Sequence, residues 1–218
     1  MRIGRWFSNL FHRRAVSSSE PSASTPRPTQ PARSGSTTIP VDTFEPTGPM
    51  RVSIGKTTGY SPLEKQKLDR AMVKLGEVLS SREFKDAVLN HTYAGRPGFA
   101  SDSRTPAEIY AVIRAGKENF TNAADGEVDL NVALENFSWF QRKVVGYTTE
   151  SSDTITTNRR FYSGFDESEI AGHLGHEWLH KVGFEHDFKA TARRPYSVPY
   201  ALGDLIEELA SKPSLTPL

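Results

Sequence analysis

The chain predicts an α+β fold over residues 51–218, preceded by a tail over residues 1–50 that lacks the apolar content to fold. Three observations carry this expectation. Serine, threonine and aspartate caps open helical patterns at Ser61-Pro62, Thr105-Pro106 and Asp166. Val128, Leu130, Val132 and Leu134 alternate with polar residues at the period of a strand. Two β-rich runs, Lys143 to Thr149 and Thr154 to Tyr162, flank a polar Glu-Ser-Ser-Asp turn. A segment of this length is enough to bury one good core.

Taken in order, the folded part starts near Met50. Its first helix runs from Ser61 to about Asn90 with a break near Ser80, and a second runs from Thr105 to about Ala115. Residues 126–135 follow as a half-buried strand, and then come the two β-rich runs. Asp166, with Glu169 three residues on, forms a capping box. In the helix it opens, Ile170, Leu174, Trp178 and Val182 recur turn by turn and face the core. A closing helix spans about Tyr200 to Lys212.

Composition excludes several classes. Of the 218 residues 36% are hydrophobic, yet no apolar run approaches the roughly 18 residues of a bilayer span. The absence of cysteine rules out disulfides and thiolate ligands, so a bound metal must be held by His or carboxylates. A net charge of +1 makes no electrostatic case for nucleic acid as a partner, and a monomer is expected. In the tail, Ile3, Trp6, Phe7, Leu10 and Phe11 share one helical face beside Arg2, Arg5, Arg13 and Arg14. A basic amphipathic helix of this kind can touch an anionic membrane surface transiently or serve as a targeting signal. Residues 16–49 are rich in Ser, Thr and Pro and are expected to be disordered. The tail lacks the long apolar core of a conventional secretory signal. Its Arg- and Ser-rich, acid-poor start is similar to a mitochondrial transit peptide and to the leaders of injected bacterial proteins.

The chemistry concentrates in residues 176–186, His-Glu-Trp-Leu-His-Lys-Val-Gly-Phe-Glu-His. Four residues along a helix are about 400° of rotation, so His176 and His180 project from one face and can grip one metal ion. Glu177 lies about 60° from His180 around the axis, where its carboxylate reaches a water on the metal without ligating it. Gly183 can end the helix in a left-handed turn, so that the chain doubles back and presents His186 to the same ion. Three protein ligands with an open fourth position mark a catalytic rather than a structural zinc site. With six His and sixteen Gly in the chain, chance would produce the full pattern in only about 1 in 10⁴ to 10⁵ such sequences.

With this pattern the chain resembles the metzincin clan of zinc metalloproteases. The resemblance implies His176, His180 and His186 as Zn2+ ligands, Glu177 as general base and Gly183 as the turn. It also implies a zincin-like mixed twisted sheet, an active-site helix and a small C-terminal subdomain beginning after Gly183. Val144-Val145-Gly146-Tyr147, Asn158-Arg159-Arg160 and Ser197 to Gly203 extend the likeness to little-characterised bacterial metzincin-like proteins, which favours an exported or injected protein over a cytoplasmic or mitochondrial one. One departure concerns the methionine that metzincins carry in a turn beneath the zinc. Here methionine occurs only at Met1, Met50 and Met72, all upstream. The expected substitute is Ser197-Val198-Pro199-Tyr200, with Pro199 or Val198 under the metal. The resemblance further implies Tyr200 or Tyr196 as a donor to the developing oxyanion. It implies Thr154–Tyr162 as an edge strand that pairs with an extended protein or peptide substrate, with Arg159 and Arg160 able to favour acidic residues.

Other residues carry less. His173 shares the helix side of His176 and is expected to be packed or hydrogen-bonded. Asp187 is a weaker alternative to His186 as a ligand, and Asp125, Glu127 and Asp129 lack the glycine and spacing of a calcium loop. Two other functions remain open: a zinc hydrolase acting on a non-peptide amide, and a secreted effector or binding module with a degenerate zinc site.

Overall fold

The computed structural model describes residues 48–91, 104–120, 124–148, 152–187 and 189–218. Residues 1–47, which hold the segment read as amphipathic and nearly all of the Ser/Pro-rich tail, lie outside these residues. The order is β1 (Arg51–Thr58), α1 (Pro62–Leu79), α2 (Arg82–Leu89), α3 (Pro106–Ala115), β2 (Glu127–Glu135), β3 (Gly146–Tyr147), β4 (Thr154–Asn158), α4 (Arg159–Tyr162), α5 (Glu167–Lys181) and α6 (Val198–Ala210). Short 3₁₀ turns cover Trp139–Gln141 and Arg194–Tyr196. The class is α+β, and the sheet is mixed.

Local chemistry explains where the helices start. Ser61 and Thr105 each make a capping box with a glutamate three residues on, with proline in the first turn. The expected break near Ser80 is a true helix end: Ser81 caps α2 through its side chain, which accepts from the Phe84 N–H at 3.1 Å. The residues after Ser61 therefore form two helices, as the sequence pattern allows.

The strands run β1-β2-β4-β3, with β1, β2 and β4 parallel and β3 antiparallel to β4. This arrangement corrects two expectations. The run from Thr154 does not remain extended to Tyr162. Asn158 ends the strand by capping a single helical turn, its side chain accepting from the Arg160 N–H at 3.1 Å. Nor is β4 an edge. It lies between β2 and β3, and the short β3 is the outer strand on that side. The Asn158 side chain locks this edge by donating to the Val144 carbonyl at 2.9 Å, while its own N–H donates to Val145 at 2.7 Å.

Ile170, Leu174, Trp178 and Val182 are buried as the pattern predicts, in one cluster with Leu68 and Leu75 of α1 and Leu202 and Ile206 of α6. The residues after Gly183 thus share the core of the whole domain. The close fit of α6 on α5 depends on missing side chains. A Cβ at Gly172 would sit 2.7 Å from the Glu207 Cβ, and one at Gly203 would sit 3.0 Å from the His176 Cβ.

Candidate metal centre

Both ends of α5 are fixed by backbone chemistry. Asp166 accepts from the N–H groups of Ser168 at 2.8 Å and Glu169 at 2.9 Å, and Glu169 accepts in return from Asp166 at 2.7 Å. At the other end Gly183 donates to the His180 carbonyl at 3.1 Å and Phe184 to Leu179 at 3.0 Å. That pair of bonds is the Schellman closure, and Gly183 takes the left-handed φ of 93° it needs. A side chain there would meet nothing within 4 Å, so the requirement for glycine is conformational rather than steric. Phe184 and Leu179 are both buried, as the apolar contact of this motif requires.

The reversal brings His186 back to the helix. The ring centroids of His176 and His180 are 5.2 Å apart, and that of His186 lies 5.2 Å and 4.7 Å from them. All three offer ligand nitrogens within 4.8 Å of one another, so the cluster can hold a metal ion. The Nε2 atoms of His176 and His186 are 3.3 Å apart. Two nitrogens bound tetrahedrally at zinc–nitrogen distances are separated by about 3.3 Å, so this pair already has the spacing of a coordination edge. Orientation is set from behind. The Nδ1–H of His180 donates to the Phe184 carbonyl at 2.8 Å, and that of His186 to the Asp187 carbonyl at 3.0 Å. A carbonyl can only accept, so both rings carry the proton on Nδ1 and turn the Nε2 lone pair to the centre.

His176 and Glu177 are fully buried, whereas His180 and His186 are half-buried. The centre is therefore closed on the helix side and open toward the returning chain. Tyr200 forms its floor, with its ring edge-on 4.7 Å from both His176 and His186. Within the expected segment Ser197–Tyr200, residues 198–200 are the first turn of α6, a position that accepts Pro199, and Tyr200 packs against the histidines. Burial pushes the Tyr200 phenol up to about 12, with Arg194 opposing and the Glu177 carboxylate adding to the shift. The Tyr200 hydroxyl accepts a hydrogen bond from the buried Arg194, whose guanidinium lies 4.6 Å over the ring. Tyr196 is half-exposed on the preceding 3₁₀ turn.

His173 is buried one turn before His176, and its Nε2 meets the Thr157 hydroxyl at 3.0 Å. Its ring occupies the space where Gly146 would carry a side chain, so it packs α5 against the outer strand. The Asp187 carboxylate is gripped by Arg193 and Thr191 and is absent from the ligand cluster. Arg159 pairs with Glu64 and the Gly59 carbonyl, which ties it to α1. Arg193 and Arg194 had no sequence signal: Arg-Arg-Pro in a polar stretch reads as an ordinary surface loop.

No protein-family profile matches the sequence, and no curated protein matches it.

Proposed function

We propose that the chain is a zinc-dependent endopeptidase of metzincin-like design. The observation that carries the proposal is the convergence of three imidazole ligand nitrogens within 4.8 Å of one another, the Nε2 atoms of His176 and His186 at 3.3 Å, beside the buried Glu177. His176, His180 and His186 would hold the ion. All-imidazole ligation in a chain without cysteine suits zinc with one open position. Zinc held there would supply Lewis acidity, making a water more acidic and polarising the scissile carbonyl.

The protein's own groups do the rest. Glu177 takes a proton from the attacking water and returns it to the leaving amine, as general base and then general acid. Tyr200 stays protonated at neutral pH, since burial holds its phenol near 12. Its ring lies against His176 and His186, so its hydroxyl is a candidate donor to an oxygen that gains negative charge beside them. The outer strand β3, packed on α5 through His173 and Gly146, supports a peptide over a small amide as substrate, because no strand among the described residues pairs with its outer side and an extended chain can add there.

The test is metal content of the full chain with cleavage of an unbiased peptide library, for wild type and Glu177→Ala. One zinc in each, with cleavage by wild type alone, is the expected outcome. Zinc without cleavage in wild type would turn the assignment toward a non-peptide amide, and absence of zinc would end it.

A further inference from the structure

We propose that the consecutive arginines Arg193 and Arg194 are positioning residues that brace His186 through two of its neighbours. This rests on the metal centre described above but concerns how its third ligand is held. His186 lies in irregular backbone between the end of α5 and the 3₁₀ turn Arg194–Tyr196, so no helical ladder fixes its ring. Its Nδ1–H is anchored on the carbonyl of Asp187, the next residue. That anchor is as steady as the Asp187 backbone, and the Asp187 side chain is what steadies it. Arg193 grips both carboxylate oxygens as a fork, Nε–H to Oδ2 and a terminal N–H to Oδ1, each at 2.7 Å. The Thr191 hydroxyl donates to Oδ2 as well. A two-point grip fixes the plane of a carboxylate, which a single donor leaves free to rotate.

Arg194 works through a second neighbour of the ring, Tyr200. Its guanidinium stacks 4.6 Å over Tyr200 and donates to the Tyr200 hydroxyl. This presses the phenol edge against His186 and His176, both at 4.7 Å. The imidazole of His186 thereby meets both a fixed carbonyl and a fixed ring. Lysine would reproduce neither brace in full, since it keeps the charge but offers no fork and no planar face.

The experiment uses the full chain with Arg193→Gln, Arg193→Lys and Arg194→Gln. Zinc affinity is read by competition with a chromophoric chelator, the visible spectrum of the Co2+ form reports ligand geometry, and nitrogen-15 shifts of the metal-free protein report the His186 tautomer. Each glutamine variant is expected to lose about 10- to 100-fold in zinc affinity, the range for removing a group behind a ligand. Arg193→Lys should recover part of that loss. In metal-free Arg193→Gln the Nδ1-protonated signature of His186 should give way to a mixture. Wild-type zinc affinity and an unchanged His186 signature in Arg193→Gln would overturn the proposal. If wild type takes no zinc, the metal centre itself fails, and the His186 ring shifts still decide the brace. If Arg193→Gln does not fold, Thr191→Val, which removes a donor to the same carboxylate, is read in its place.

Discussion

His176 and His180 sit on a helix whose ends are closed by backbone bonds and whose inner face is buried, whereas His186 and Tyr200 belong to a returning segment held largely by side chains. The first region gains its geometry from the α-helical repeat, so two candidate ligands arrive together once α5 forms. The second must be placed one contact at a time, through Gly183, the Asp187–Arg193 fork and the Arg194–Tyr200 stack. A site of this kind joins a part that folding supplies with a part that specific contacts must supply. Substitutions in the two parts should therefore fail differently.

The largest effects should come from the groups at the centre. Glu177→Ala is expected to lower peptide cleavage by about 10²- to 10⁴-fold, the usual contribution of a general base, with zinc content unchanged by elemental analysis. His180→Ala and His186→Ala should both weaken zinc by more than the roughly 100-fold upper range for groups behind a ligand. If His186→Ala binds zinc as wild type does, the returning segment is not part of the centre and the contrast collapses.

Next in size is the seam between the regions. Gly172→Ala drives a Cβ to 2.7 Å from Glu207 and 3.0 Å from the Gly203 carbonyl, so α6 must move off α5. Overpacking of this kind costs about 1–3 kcal/mol, readable as a lowered denaturant midpoint. Because α6 carries Tyr200, zinc affinity should fall too. Gly183→Ala makes a useful control, since its added Cβ has open space and only the φ of 93° resists it. Its cost should be about 1–2 kcal/mol, that of a left-handed alanine.

The seam also carries a pH dependence. Burial pushes Asp204 up to about 7, and burial with the nearby carboxylates of Glu169, Asp204 and Asp166 pushes Glu207 up to about 7. Ordinary carboxylates titrate near about 4. Between about pH 4 and 7 the folded chain therefore binds more protons than the unfolded chain, so stability should fall as pH rises through that window. Urea midpoints at pH 5 and pH 8 test the sign, and Asp204→Asn should flatten the difference. A midpoint that rises with pH would show that α6 is not carrying this cost.

Much of the first region was legible. Caps at Ser61, Thr105 and Asp166, the alternation of β2 and the turn-by-turn apolar face of α5 are local signals, and local hydrogen bonding decides them. The histidine spacing and Gly183 belong to the same grammar. What the sequence hid depends on distant partners. β1 offers only Val52 and Ile54 as apolar residues, and its register shifts between Ile54 and Lys56, so its extended form follows from pairing with β2 across α1 to α3. β4 reads as an edge strand until β3 is placed beside it, and the two residues of β3 are too few to show a period. The burial of Arg194 depends on Tyr200, which is six residues away but on another element.

The smallest expected effect sharpens the comparison most. Asp166→Ala removes the side chain that accepts from Ser168 and Glu169 at the start of α5. Loss of such a cap costs about 1 kcal/mol, so the denaturation midpoint should drop slightly. Zinc affinity should not change. The cap lies ten residues before His176, with Ile170 and Leu174 buried between them, and packing along that length keeps the helix in place after its first turn frays. Arg193→Gln likewise removes one side-chain grip, and from a more exposed residue than the core of α5, yet it is expected to change zinc affinity. If Asp166→Ala weakened zinc as much, helical ligands would be no better buffered than the loop ligand, and the distinction between the two regions would go.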